Sequence, residues 1–245
     1  MTEENGTAFW ERPEMVARMA ERPADRRLVQ LFAGDGVFGD VHSAWQPGPA
    51  PRLLDVGCAG GRNTVWAAQQ GADVHALDAS AAMVRETRKR LAAVSGTDAA
   101  RTRVRQGRMR DLGRWPDGFF ELVIALGVLQ DAAGYGEWTE TLAEMSRVLR
   151  PGGLCLVANF GPDSEPQGRP LEAVPGERFS FAGFGPGNRR LVLPDVQDLD
   201  AEFGRHGFTP ALPTEKVRTD TEHGFRTTLN ALYRKGPAPG AADNG

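Results

Sequence analysis

Between residues 52 and 160 the chain alternates two kinds of apolar pattern. Short runs rich in β-branched and aliphatic residues, RLLDVG (52–57), DVHALD (73–78), TRVRQG (102–107), FELVIALG (120–127) and LCLVANF (154–160), predict strands. Between them, NTVWAAQQG, SAAMVRETRKRLAAV (80–94) and GEWTETLAEMSRVLRPGG space their apolar residues three or four apart, as helices do. Helix punctuation agrees: Asn63 or Thr64 and Ser80 stand at starts, Gly71 and a Pro-Gly-Gly at stops. Regular strand–helix alternation predicts a doubly wound α/β fold, a mainly parallel sheet with helices on both faces.

The pattern changes after residue 160. A Gly/Pro-rich stretch (161–188) precedes LPDVQDLDAEFGRHGF, which predicts a helix. TEKVRTD and FRTTLNALYRK then predict an antiparallel hairpin closed by TEHG, bringing the sheet to seven strands. The organisation expected is an N-terminal helical lid segment (1–50), a main domain (51–236) with a substrate-side insertion (161–190), and a disordered tail (237–245). MTEENG at the start reads as disordered too.

Charge and composition narrow the function classes. A net charge of -3 gives no overall pull toward nucleic acid or anionic membrane, although RTRVRQGRMRDLGR is rich in arginine. That stretch surrounds the third strand, where cations suit a solvated sheet edge. The two cysteines, Cys58 and Cys155, lie far apart in apolar contexts, so a reduced, cytoplasmic protein is expected, with no disulfide and no metal site. The first residues lack a signal-peptide pattern, and no apolar run approaches the roughly 20 residues that span a bilayer.

The candidate chemistry sits in LLDVGCAGGRNT (53–64), an apolar strand holding an aspartate that runs through glycines into a helix start. In an open parallel sheet ligands bind beyond the carboxyl ends of the strands, and glycines let the backbone approach them. A dinucleotide G-x-G-x-x-G does not fit, because Ala59 and Arg62 stand at its second and third glycine positions; no Gly-Lys-Ser/Thr follows for a phosphate loop. Asp78 ends the second strand, about 20 residues on, where a carboxylate accepts from the two hydroxyls of a ribose.

These residues resemble the class I S-adenosylmethionine-dependent methyltransferases. The family's acidic-Gly-x-Gly-x-Gly motif appears as Asp55-Val56-Gly57-Cys58-Ala59-Gly60-Gly61, QGRMRDL (106–112) looks like its adenine-framing turn, and RVLRPGGLCLV (147–157) is similar to its common helix-turn-strand segment. GGRNT looks like small-molecule branches, including the tellurite-resistance type. The resemblance implies the class I fold, S-adenosylmethionine as cofactor and methyl transfer to a small molecule. It implies cofactor contacts at Asp55, Gly57, Cys58, Ala59, Gly61, Asp78, Ala79, Met83, Arg108, Met109, Leu126 and Gly127. Two departures stand out: Ala59 replaces the middle glycine, and Arg108 replaces the usual adenine-binding acid, suggesting an arginine stacked on the base.

For the acceptor side, strand ends and long loops point to Trp10, Gln130, Asn159, Phe160, Phe181 and His223. Weak candidates for a base are Gln130, Asp131, Glu222 and His223; the last two lie in a turn expected on the substrate face. The catalytic group itself stays unassigned, as do the acceptor atom and the oligomeric state. Rival readings are an RNA or protein methyltransferase and a non-catalytic S-adenosylmethionine-binding partner. The first would need the arginine-rich edge to bind a polyanion; the missing acidic residue at Arg108 and the lack of a clear base keep the second open.

Overall fold

A computed structural model describes residues 4–45, 48–184 and 190–237. Four helices precede the first strand: α1 (Glu4–Trp10), α2 (Pro13–Glu21), α3 (Arg26–Ala33) and α4 (Gly39–Trp45). Prolines set the breaks: Pro13 begins α2, and Pro23 keeps Arg22 extended where α2 ends. Then come β1 (Arg52–Val56), α5 (Arg62–Gln69), β2 (Asp73–Asp78), α6 (Ala81–Ser95), α7 (Thr97–Arg103), β3 (Val104–Gln106), β4 (Phe120–Leu126), α8 (Tyr135–Val148) and β5 (Leu149–Phe160). The insertion forms a small antiparallel sheet of β6 (Glu172–Ala173), β7 (Ser180–Ala182) and β8 (Leu191–Val192). It leads to α9 (Val196–Arg205) and the hairpin β9 (Phe208–Thr221) and β10 (Gly224–Lys235).

The main sheet has seven strands in the order β3-β2-β1-β4-β5-β10-β9. β1 to β5 run parallel and β10 is antiparallel to both neighbours, the fold class the sequence implied. Strand order reverses beside β1, so its carboxyl end faces the crevice where ligands settle in such sheets.

Alternation along the central strands feeds two cores. Leu54, Val56, Val123 and Val157 pack with Trp138, Met145 and Phe203 of α8 and α9. Leu53, Leu122, Ile124 and Leu156 pack on the other face with Leu28, Leu31, Trp45, Val65 and Leu91. The second list corrects the expected organisation: α3 and α4 are a layer of the core, and α1 and α2 alone lie over the ligand side.

Other differences are local. Residues 4–6 belong to α1 rather than to a disordered end, whereas the rest of the expected tail, 238–245, lies outside the described residues. β3 keeps only three residues because Gly96 (φ +85°) breaks the long helix and starts α7, which takes Thr102 and Arg103. The outermost place of β3 is the edge position expected of it. There Arg103 pairs with Asp73 at 3.0 Å and Arg88 caps the Val104 carbonyl. His75 is a packing residue: Trp115 Nε1 donates to its Nδ1 (3.2 Å), and burial pushes its pKa down to about 4.

Candidate functional site: a cavity at the carboxyl end of the sheet

The turn after β1 is built by backbone bonds. Gly57 and Cys58 both donate to the Leu77 carbonyl on β2 (2.9 and 3.0 Å), which folds the chain back over the sheet. Gly57 has φ +73°, and a Cβ there would run into the side chain of Val128, so glycine is required. Ala59 takes φ +47°, a left-handed conformation that an alanine enters with about 1–2 kcal/mol of strain. It is held there from both sides: its N–H donates to Asp78 Oδ2 (2.8 Å) and its carbonyl accepts from Thr87 Oγ1 (2.6 Å).

Asp78 is the centre of the arrangement. Its other oxygen, Oδ1, accepts from the Ser80 N–H at 2.9 Å. Each oxygen therefore retains acceptor capacity for a ligand. Burial pushes this carboxyl up to about 6, more than the Ser80 and Ala59 hydrogen bonds pull it down; Asp131 and Glu11 push the same way.

A cavity of about 580 Å³ opens in front of Asp78. Gly57, Cys58 and Ala59 line one stretch with Arg62 and Asn63 at the start of α5. Ala79, Met83, Gly107 and Met109 form another, and Leu126, Gly127, Val128 and Asp131 a third. α1 and α2 close it with Thr7, Trp10 and Met19. These two helices are fastened down: Ser80 Oγ donates to the Trp10 carbonyl (3.2 Å), and the Glu11 carboxylate accepts from the Ala82 N–H (3.2 Å).

At the Arg108 end the guanidinium grips the buried Glu137 carboxylate with two 2.6 Å bonds. Burial alone would raise the Glu137 carboxyl, but Arg108 and the Ala133 N–H outweigh it and hold the group below the usual carboxylate range. Arg108 is thus tied to α8 rather than laid flat over a base. Asp111 brings a carboxylate to the same stretch of wall, one oxygen accepting from the Arg108 N–H at 2.8 Å.

Comparison with known proteins bears on this site directly. Residues 54–157, which contain the turn, Asp78 and strands β2 to β4, match the methyltransferase domain family Methyltransf_11. Relatives include a ubiquinone biosynthesis O-methyltransferase of Sinorhizobium fredii, 34% identical over 50% of this chain and 46% of that one. A demethylmenaquinone methyltransferase of Beutenbergia cavernae is 35% identical over 52% of this chain and 47% of that one. The chain spans about half the length of these two relatives. The crystal structure of a protein described as a SAM-dependent methyltransferase from Methanosarcina mazei shares the fold, with a TM-score of 0.62 and 16% identity over 83% of this chain and 100% of that one. The likeness is one of fold, the seven-stranded α/β sheet described above. The tellurite-resistance branch is not among these matches.

The expected residues divide by position. Gly57, Cys58, Ala59, Asp78, Ala79, Met83, Arg108, Met109, Leu126 and Gly127 lie on the cavity wall, with Trp10 and Asp131. Asp55 and Gly61 do not. Asp55 is buried behind the turn, where Thr64 Oγ1 donates to it at 2.6 Å and burial pushes its pKa up to about 6. It fastens α5 to β1. A Cβ on Gly61 would come 2.9 Å from the Thr87 side chain, and one on Gly60 2.6 Å from the Ala20 N atom. Both glycines serve helix packing.

Five residues expected at the acceptor also lie off the wall. Gln130 and Asn159 are buried behind it, their amide groups donating to the Gly127 carbonyl (2.7 Å) and the Phe160 carbonyl (2.9 Å). Phe160 stacks on Phe184, and Phe181 belongs to β7 in the small sheet. His223, with Glu222, occupies the exposed tip between β9 and β10, on the carboxyl side of the sheet but away from the cavity. Arg62, Asn63, Met19, Val128, Asp111, Glu137 and Arg190 are wall residues that sequence reading missed. Arg62 and Asn63 directly follow the glycine turn and could have been found by extending the motif into the first helical turn. Glu137 and Arg190 carry no local signal. Among the described residues no His, Cys, Asp or Glu group is arranged to hold a metal, and no helix is long and apolar enough to cross a membrane.

Proposed function

We propose that this chain transfers the methyl group of S-adenosylmethionine to a small-molecule acceptor bound in the cavity beneath α1 and α2. The observation that carries the reading is Asp78: a carboxylate at the end of β2, oriented by two backbone N–H groups, with acceptor capacity turned to a cavity of ligand size. The site residues fit the cofactor in chemical kind. Asp78 accepts from the ribose hydroxyls, and Met83, Met109 and Leu77 give an apolar slot for the base. Asp111 supplies the carboxylate that Arg108 displaced. Arg62, beside the glycine turn, meets the carboxylate of the methionine half.

The bound sulfonium supplies an already activated methyl group, so the protein's share is positioning and exclusion of water. Leu126, Gly127 and Val128 make a close wall beside the reacting end, and Trp10 and Met19 shut out solvent. Asp131, on the same wall, is the residue placed to take an acceptor proton. The names of the relatives favour an aromatic or quinone-type acceptor.

The test is calorimetric titration with S-adenosylmethionine and with its demethylated product, S-adenosylhomocysteine. One-site binding of both is expected, weakened at least about 100-fold in Asp78→Ala, which loses two charge-assisted hydrogen bonds. Absence of binding to either ligand by the unaltered chain sinks the reading.

A further inference from the structure

Arginines gather beside the cavity where the α2–α3 link crosses the carboxyl ends of the strands. Arg62 on the cavity wall donates to the Pro23 carbonyl at 2.8 Å, and Arg27 donates to the Val157 carbonyl on β5 at 3.1 Å. These two bonds hold Arg22, the extended residue that follows α2, near Arg62. On the far side Arg226 of β10 lies over the ring of Phe160, 4.8 Å from its centre, and Phe160 stacks face to face on Phe184 at 4.6 Å. The carboxylate of Asp25 is occupied, gripped by Arg27 through both oxygens (3.2 and 3.3 Å).

Neither Arg22 nor Arg226 has a hydrogen-bond or ion-pair acceptor for its guanidinium among the described residues, and Arg226 Nε is buried. Arg226 is half-buried, and its pKa is lowered first by that burial and next by the charge of Arg22. Arg22 acts on Arg62 in the same sense. Packing on Phe160 accounts for the position of Arg226 as a cation over a ring. It does not account for a buried Nε–H of Arg226 with no acceptor, lying within reach of the like charge of Arg22. Such an arrangement is unfavourable by itself and is relieved by an anion that takes charge-assisted hydrogen bonds from both.

We propose that Arg226 and Arg22 form a docking subsite for an anionic group, a carboxylate or a phosphate, carried by the methyl acceptor, with the Phe160–Phe184 stack as its apolar floor. This rests on the methyl-transfer reading. The acceptor then spans from the methyl end of the cavity to the arginines, its charged group fixing which atom faces the sulfonium. Specificity for an acidic acceptor follows from the geometry at Arg226, separately from the cofactor contacts at Asp78.

The experiment uses the full chain saturated with S-adenosylhomocysteine and titrates three probes: benzoate, phenyl phosphate and neutral benzamide. One of the two anions is expected to bind at one site at least about tenfold tighter than benzamide, and the tighter of them identifies the group. Arg226→Gln and Arg22→Gln should each abolish that preference while leaving S-adenosylhomocysteine affinity within about twofold. Arg22 is exposed, so its variant carries the test even if Arg226→Gln does not fold. Equal binding of benzamide and the anions overturns the inference, as does an unchanged preference in both variants. A tenfold loss of S-adenosylhomocysteine affinity in Arg226→Gln also overturns it, because the arginines would then serve the cofactor's own carboxylate. If the unaltered chain fails to bind S-adenosylhomocysteine, the methyl-transfer reading falls first and the acceptor subsite with it.

Discussion

Two buried carboxylates, 23 positions apart in sequence, do different work at the same strand ends. Asp78 faces the cavity and Asp55 faces α5, and burial raises both to about 6. A folded-state pKa above the ordinary value of 3.8 means the folded chain holds these protons more tightly than the unfolded chain. Their contribution to stability is therefore most favourable below about pH 4, declines as pH rises to about 6, and is constant beyond. Asp55→Asn should raise the melting temperature of the unliganded protein at pH 8 and have little effect at pH 4, on the order of 2 kcal/mol at the higher pH. Cofactor binding should run the other way. Ribose hydroxyls need an ionised acceptor, so S-adenosylhomocysteine affinity measured between pH 5 and 8 should fall as pH drops through about 6. At this scale the sequence was legible where one residue type answers one backbone demand. Gly57 is such a case, and so is Asp78. It was illegible at Asp55 and Gly61, because an identical motif letter serves either a ligand or a neighbouring helix, and the direction of a side chain depends on what packs behind it.

Among the elements, α1 and α2 decide how the site closes. That helices precede the first strand was legible in the sequence, but whether they covered a ligand or a sheet was not, since both require the same periodicity. The structure divides the segment at Pro23, with lid helices before it and core helices after it. The lid is fastened where Trp10 and Glu11 meet Ser80 and Ala82 at the start of α6. Glu11 there places negative charge at a helix N-terminus. Trp10→Ala should weaken S-adenosylhomocysteine binding about tenfold by removing an apolar wall, worth about 1.4 kcal/mol. The unliganded melting temperature should stay within a few degrees, a contrast that a core substitution such as Leu31→Ala would not give. Calorimetry and thermal melts on the two variants check this. β1, β2 and β4 were placed almost residue for residue; β5 begins at Leu149, five residues before the strand read from the sequence, and in β3 helix-compatible arginines let α7 run to the strand's edge.

For the molecule as a whole, one buried acid draws the insertion onto two helices of the body. Glu202 on α9, 1% exposed, accepts from Tyr135 Oη of α8 (3.0 Å), pairs with Arg178 of the insertion (2.7 Å) and also pairs with Arg205. Arg178 lies over Tyr135 and Phe179, which ties the joint to aromatic packing. Glu202→Gln should leave two cations facing an uncharged amide and lower stability by about 3 kcal/mol in chemical denaturation. Limited proteolysis should then cut first within 161–184. No local pattern in the sequence announced this joint, because its members lie in three segments and each looks like an ordinary surface charge.

The outer face of the glycine turn carries one more consequence. Gly60 lies so close to Ala20 that the loop beside the cofactor and the lid above it share one surface, with no side chain between them. Sites that share a wall exchange influence equally in both directions. Whatever free energy the seated lid adds to holding the cofactor, the cofactor returns to seating the lid. The resting position of the first two helices is thus itself a gauge of occupancy: a ligand held by the glycine turn shifts the lid toward its seated place by the same free energy that the lid lends the ligand.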